Sequence, residues 1–140
     1  MGTHNRGEVP PCLYHHQETN LLEVGEHFTY HWAIGHNSLG FRTGYVRIPL
    51  GHPWYGLEYD AIPAEVHGGL TYADKHDGWW IGFDCGHSGD APDPKLPGFF
   101  IGGGMQGVVR TQDYVIMECR RLCEQAAIAG LEGLVKVAEP

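Results

Sequence analysis

Residues 65–84 read EVHGGLTYADKHDGWWIGFD, and this stretch decides the fold. Val66, Gly68, Leu70 and Tyr72 alternate with polar or small residues, as do Trp79, Ile81 and Phe83. A period of two is the pattern of a strand with one buried face. The residues between, Ala73 to Gly78, are short and polar enough to turn the chain, so a β-hairpin is expected. Pairing Tyr72 with Trp79 sets Leu70 against Ile81 and Gly68 against Phe83, an apolar face. The opposite face then carries His67 against Asp84, with Cβ atoms about 5 Å apart. A shift of two residues keeps the faces but breaks that pair.

Working outward, residues 27–34 alternate again, with Phe28, Tyr30, Trp32 and Ile34 on one side, and are expected to form one strand. Asn37-Ser38-Leu39-Gly40 reads as a turn into a second strand over 41–50. His27, His31 and His36 are spaced like metal ligands, but on a strand His27 and His31 stand about 13 Å apart and cannot share an ion. Residues 51–56 form a loop carrying Trp54 and Tyr55, and residues 86–107 read as a long Gly/Pro-rich loop. Thr111 has the chemistry of an N-cap, with Asp113 in the first turn. Val115, Cys119, Leu122, Cys123 and Ala126 follow at helical spacing, and Gly130 reads as a stop. A helix is expected over 111–129 and a tail over 131–140, with residues 1–11 as an arm. The expected architecture is one α+β domain over 1–140, a mostly antiparallel sheet built from hairpins with one C-terminal helix packed on it.

Composition narrows the function. Of 140 residues, 30 are Gly or Pro, which excludes a helical bundle. The net charge is −8, and the nine Lys and Arg are scattered. Such a chain lacks the basic stripe that binds nucleic acid or an anionic membrane. It also lacks the long apolar run of a membrane span or a signal peptide, so a cytoplasmic location is expected, with its four cysteines reduced.

Candidate chemistry is densest between His67 and Asp90. His67, Asp84, His87 and Asp90 are acid–base and metal-ligand residue types, and Gly86 and Gly89 let the chain curl to gather them. They are candidates for zinc or another divalent metal, although the spacing matches no established motif. Cys85 is a candidate nucleophile, with His67 or His87 as base and Asp84 orienting the imidazole. For a bound ligand, His67, Asp84, His87 and Asp90 supply hydrogen bonds, and Gly68 and Gly69 bare backbone. Trp80, Trp54 and His52 supply aromatic walls. Gly102-Gly103-Gly104 is a weaker candidate for a phosphate cradle, without the lysine of a Walker loop.

The strings Gly44-Tyr45-Val46, Ile48-Pro49, Gly51-His52-Pro53-Trp54-Tyr55-Gly56, Val66 to Tyr72, Trp80 and Gly82 to Asp90 run in a specific order. With Tyr114-Val115 and Glu118-Cys119, this pattern resembles a group of small proteins of bacteriophages and bacteria, notably actinobacteria. The resemblance covers roughly residues 43–126. It implies a phage-related origin and a bacterial host cytoplasm, and it transfers no catalytic residue. The expected function is binding of a small polar, nucleotide-like ligand, acting on a host pathway. The alternatives are a metal- or thiol-dependent hydrolase and a protein-interaction or inhibitory module. Edge strands leave room for a homo-oligomer.

Overall fold

The computed structural model describes residue 10, residues 20–75, 78–96 and 107–138; for 135–138 only the backbone is described. The arm apart from Pro10, His76 and Asp77, the Gly102–Gly104 run and the last two residues of the tail lie outside the described residues. The expected α+β architecture is found. Five antiparallel strands form one sheet, and a single C-terminal helix packs on it. The strands are β1 (Leu21–His27), β2 (Tyr30–His36), β3 (Arg42–Ile48), β4 (Tyr72–Lys75) and β5 (Trp79–Asp84), in spatial order β1-β2-β3-β5-β4. Two short strands, β6 (Asp90–Ala91) and β7 (Val108–Val109), pair in parallel beside it. Helix α1 (Gln112–Ala138) lies across β2 and β3.

The helix forms where its spacing requires. Val115, Cys119, Leu122, Cys123 and Ala126 are all fully buried. They meet Trp32, Ile34, Val46, Ile48, Ile81 and Phe83 from the facing side of the sheet. The Thr111 hydroxyl accepts the Tyr114 amide at 3.2 Å, which caps the first turn. The helix does not stop at Gly130. A Cβ there would stand 3.2 Å from the Tyr30 hydroxyl, and one on Gly133 only 2.7 Å from Pro53. These glycines admit the neighbouring loop, at a cost of about 1 kcal/mol each in helix propensity. The expected 131–140 tail is therefore helix through Ala138.

The expected single strand over 27–34 is two strands. Phe28 and Thr29 form the tight turn of a β1–β2 hairpin, with φ of 53° and 68°. Non-glycine residues rarely hold this left-handed conformation, so nothing in Phe-Thr announced the turn. His27 consequently reaches Glu124 of the helix at 2.7 Å, and His31 lies on the other strand of the hairpin near Glu26.

The second hairpin forms, but in another register. Tyr72 pairs with Gly82 and Lys75 with Trp79, three residues from the expected Tyr72–Trp79 pairing. An odd shift exchanges faces. Trp79, Ile81 and Phe83 still face the helix, whereas Tyr72 joins Tyr45, Ala33 and Trp80 on the far face. Residues 66–69 are not strand. They form a turn closed by the Gly69 amide on the Val66 carbonyl at 2.9 Å, with Gly68 and Gly69 at φ of 70° and 82°. His67 is thereby lifted off the sheet and away from Asp84.

Candidate functional site

The His67 turn leans on the first turns of α1. The His67 amide donates to Glu118 Oε1 at 2.7 Å, which fixes the turn against the helix. Both ring nitrogens are then engaged: Nε2 with Asp90 Oδ2 and Nδ1 with the Tyr114 hydroxyl, each at 2.8 Å. Asp90 opens β6, and its side chain is 1% exposed. It accepts from the His87 amide at 3.1 Å, and its other oxygen accepts from Arg110 Nε at 2.8 Å. A buried carboxylate therefore gathers a turn, a loop, a strand end and a helix start.

The charge logic is consistent. Burial alone would raise the Asp90 pKa. The hydrogen bonds from His67, Arg110 and the His87 amide outweigh it and hold the carboxyl below its ordinary 3.8. An ionised carboxylate only accepts, so His67 Nε2 carries a proton, and Nδ1 shares a hydrogen bond with the Tyr114 hydroxyl. Burial and then Glu118 push the Tyr114 hydroxyl up, which keeps it a donor. The Arg110 guanidinium lies 5.1 Å from the Tyr114 ring centre, a cation–π distance. Behind it, Arg42 Nη1 joins Asp93 at 2.9 Å and the Arg110 carbonyl at 3.0 Å.

Asp84 and His87 form the rim. Asp84 accepts from the Thr71 hydroxyl at 3.1 Å and from the Gly86 amide at 2.9 Å. His87 Nε2 stands 3.3 Å from Asp84 Oδ1, within ion-pair range but outside hydrogen-bond alignment. The His87 ring packs over Gly68, where a Cβ would come within 2.2 Å of it. Gly69 and Gly89, at positive φ, face open space. Side chains of Asp84, His87 and Arg110 remain 30%, 34% and 27% exposed, so this edge is open to a ligand.

Of the sequence candidates, His67, Gly68, Gly69, Asp84, His87 and Asp90 belong to this one cluster. The expected His67–Asp84 pair is replaced by His67–Asp90. Three aromatic candidates lie elsewhere. Trp80 is fully buried on the far face of the sheet with Ala33 and Tyr45. Trp54 is in the main core, 4% exposed. His52 bridges its loop to α1, accepting the Trp54 amide at 2.9 Å and donating to the Ala126 carbonyl at 2.7 Å. None of the three can stack on a ligand at this site. Cys85 is 2% exposed, and burial, then Asp90 and Asp84, push its thiol up to about 12. A protonated, enclosed thiol is a poor nucleophile. Cys119 and Cys123 are likewise free and buried.

Among the described residues no group of three His, Cys, Asp or Glu side chains is arranged to hold a metal. Here the reason is local: His67 has both nitrogens committed, and Arg110 already supplies the positive charge beside Asp90. The sequence reading missed Arg110, Tyr114 and Glu118. Tyr114 and Glu118 are one helical turn apart, each directly before a core residue, and that spacing was the available signal. Comparison with protein-family models, with curated proteins and with solved structures found no match.

Proposed function

We propose that the chain binds a small polar ligand of nucleobase or nucleoside type at the rim of the Asp90 cluster. The observation that carries this reading is that the buried Asp90 carboxylate holds His67, Arg110 and the His87 amide in one array. The groups it leaves facing outward are mixed. Arg110 donates, Asp84 accepts, and the bare backbone at Gly69 and Gly89 lets a flat molecule come close. A ligand offering donors and acceptors on one edge suits such a rim. In place of tryptophan, the Arg110 guanidinium and the His87 ring are the planar groups available to stack. The net charge of −8 argues against a polyphosphate. With the resemblance drawn from the sequence, the ligand would be one met in a bacterial host cytoplasm.

The test is native mass spectrometry of the protein with each of four nucleosides, for the wild type and for Arg110→Ala and His87→Ala. The reading expects a one-to-one complex that both substitutions weaken. No complex with any nucleoside, or complexes indifferent to both, would refute it.

A second reading follows from the unbroken Asp90–His67–Tyr114 chain, with 2.8 Å at each step. A hydrolase built here would present the Tyr114 hydroxyl to its substrate, with His67 taking its proton and Asp90 orienting the imidazole. It would survive Cys85→Ala and be silenced by Tyr114→Phe.

A further inference from the structure

At the far end of α1 lies a cavity of about 800 Å³ that none of the polar chemistry above uses. Its walls include Phe28, Tyr30, Pro53, Gly130, Leu131 and Leu134, and among the described residues none that lines it is an acid, lysine or arginine. The volume falls within the range of pockets that enclose small molecules. Gly130 and Gly133 let Tyr30 and Pro53 close against the helix to complete its wall. Its rim bears large apolar groups that water solvates poorly: Phe28 is 58% exposed, Leu131 66% and Leu134 69%.

The mouth is formed by the Phe28–Thr29 turn, two consecutive non-glycine residues at φ of 53° and 68°. Such conformations cost of order 1–3 kcal/mol each and concentrate at ligand clamps. Inside, polarity is nearly exhausted. His52 donates to the Ala126 carbonyl at 2.7 Å, whereas the Tyr30 hydroxyl reaches that carbonyl only at 3.4 Å. The Tyr30 hydroxyl, held only by this long contact, can turn toward a guest. The surroundings are acidic among the described side chains. Glu124 precedes the cavity by one turn of α1, and Glu132 lines the adjoining cleft with Pro53 and Gly133.

We propose that this cavity binds a largely apolar, uncharged small molecule whose single hydrogen-bond acceptor meets the Tyr30 hydroxyl. Negatively charged amphiphiles are disfavoured by Glu124 and Glu132.

The test uses the fluorescence of N-phenyl-1-naphthylamine, a neutral apolar probe that brightens when enclosed. The wild type should bind it saturably, and 1-decanol should displace it while decanoate does not. Leu131→Gln with Leu134→Gln, both exposed and therefore safe for folding, should weaken probe binding about tenfold or more. Ile128→Gln, equally exposed but outside the cavity, should leave it unchanged. Absence of saturable binding would overturn the proposal, as would equal loss in Ile128→Gln. So would light scattering that shows a dimer dissociated by the Leu131/Leu134 pair, since a second copy would then fill the cavity. Displacement by decanoate as readily as by decanol would overturn the uncharged class.

Discussion

The two ends of α1 solve opposite problems. Sixteen residues, about 24 Å of helix, separate Tyr114 from Gly130. At the N-terminal end, His67 of the 66–69 turn, the His87 amide, Asp90 of β6 and Arg110 beyond β7 converge, and the Asp90 carboxylate accepts from the other three. Asp90 is the keystone: remove it and His67, Arg110 and the His87 amide all lose a partner. At the C-terminal end, glycines, prolines and leucines leave a hollow, and few hydrogen bonds cross it. The first end is closed and polar. The second is roomy and apolar. A cluster of titratable residues and an open cavity are thus separate features of this molecule.

The largest contrast should appear on removing charge at the closed end. Asp90→Asn leaves Arg110 without its counter-ion and one accepting oxygen where three donors converged on two, and should cost about 3 kcal/mol of stability in urea unfolding. The same variant should flatten the acid limb of the stability curve. A carboxyl whose folded pKa is depressed contributes stability that is complete above about pH 4 and is lost as pH falls through the folded value. Wild type should therefore lose stability below that pH more steeply than Asp90→Asn, in urea titrations at a series of pH values. An equal slope would remove Asp90 from the account.

Glycine substitutions should divide the two ends next. Gly68→Ala forces a Cβ into the His87 ring at positive φ and should cost about 2 kcal/mol. Gly130→Ala meets the end of the Tyr30 side chain at 3.2 Å, makes ordinary contact with the His52 ring at 3.4 Å and gains helix propensity. It should be neutral or stabilising by up to about 0.5 kcal/mol. If both cost alike in thermal unfolding, the C-terminal end is packed rather than hollow.

Tyr114→Phe tests the outermost link of the polar chain. It deletes one hydrogen bond to His67 Nδ1 and should cost about 1 kcal/mol. It should also shift the His67 Nδ1 resonance in nitrogen-detected NMR while leaving Nε2 bound to Asp90. The smallest effect is expected at Cys85. Cys85→Ala removes a small buried side chain and should leave nucleoside binding unchanged in native mass spectrometry; loss of binding without loss of folding would restore the thiol to the chemistry.

What was legible in the sequence follows from how local each signal is. The spacing from Val115 to Ala126 and the Thr111 cap are contained within one element, and both located α1. The alternation over 79–84 located β5 and its core face. Turns without turn residues were not legible. Phe28-Thr29 reads as strand, and Gly68-Gly69 reads as strand glycine until its positive φ is seen. The hairpin register moved by three because Ala73 to Lys75, expected in the connection, are strand, and the turn at Gly68-Gly69 takes His67 out of the ladder altogether. Gly130 reads as a helix stop because its partners, Tyr30 and His52, lie far away in sequence. The site was visible in its density of histidine and aspartate but not in its wiring. Tyr114 lies 47 residues from His67 and Arg110 lies 20 from Asp90, separations that no local pattern encodes. The tryptophans misled for another reason: Trp80 alternates off the helix face, yet the far side of the sheet is buried too.

The most direct test of the account is a two-dimensional amide NMR titration of the labelled protein with a nucleoside. The account predicts saturable shifts at Gly69, Gly89 and Arg110, with Ala127 to Leu134 unmoved. Shifts confined to Ala127 to Leu134, or none at either end, would contradict it.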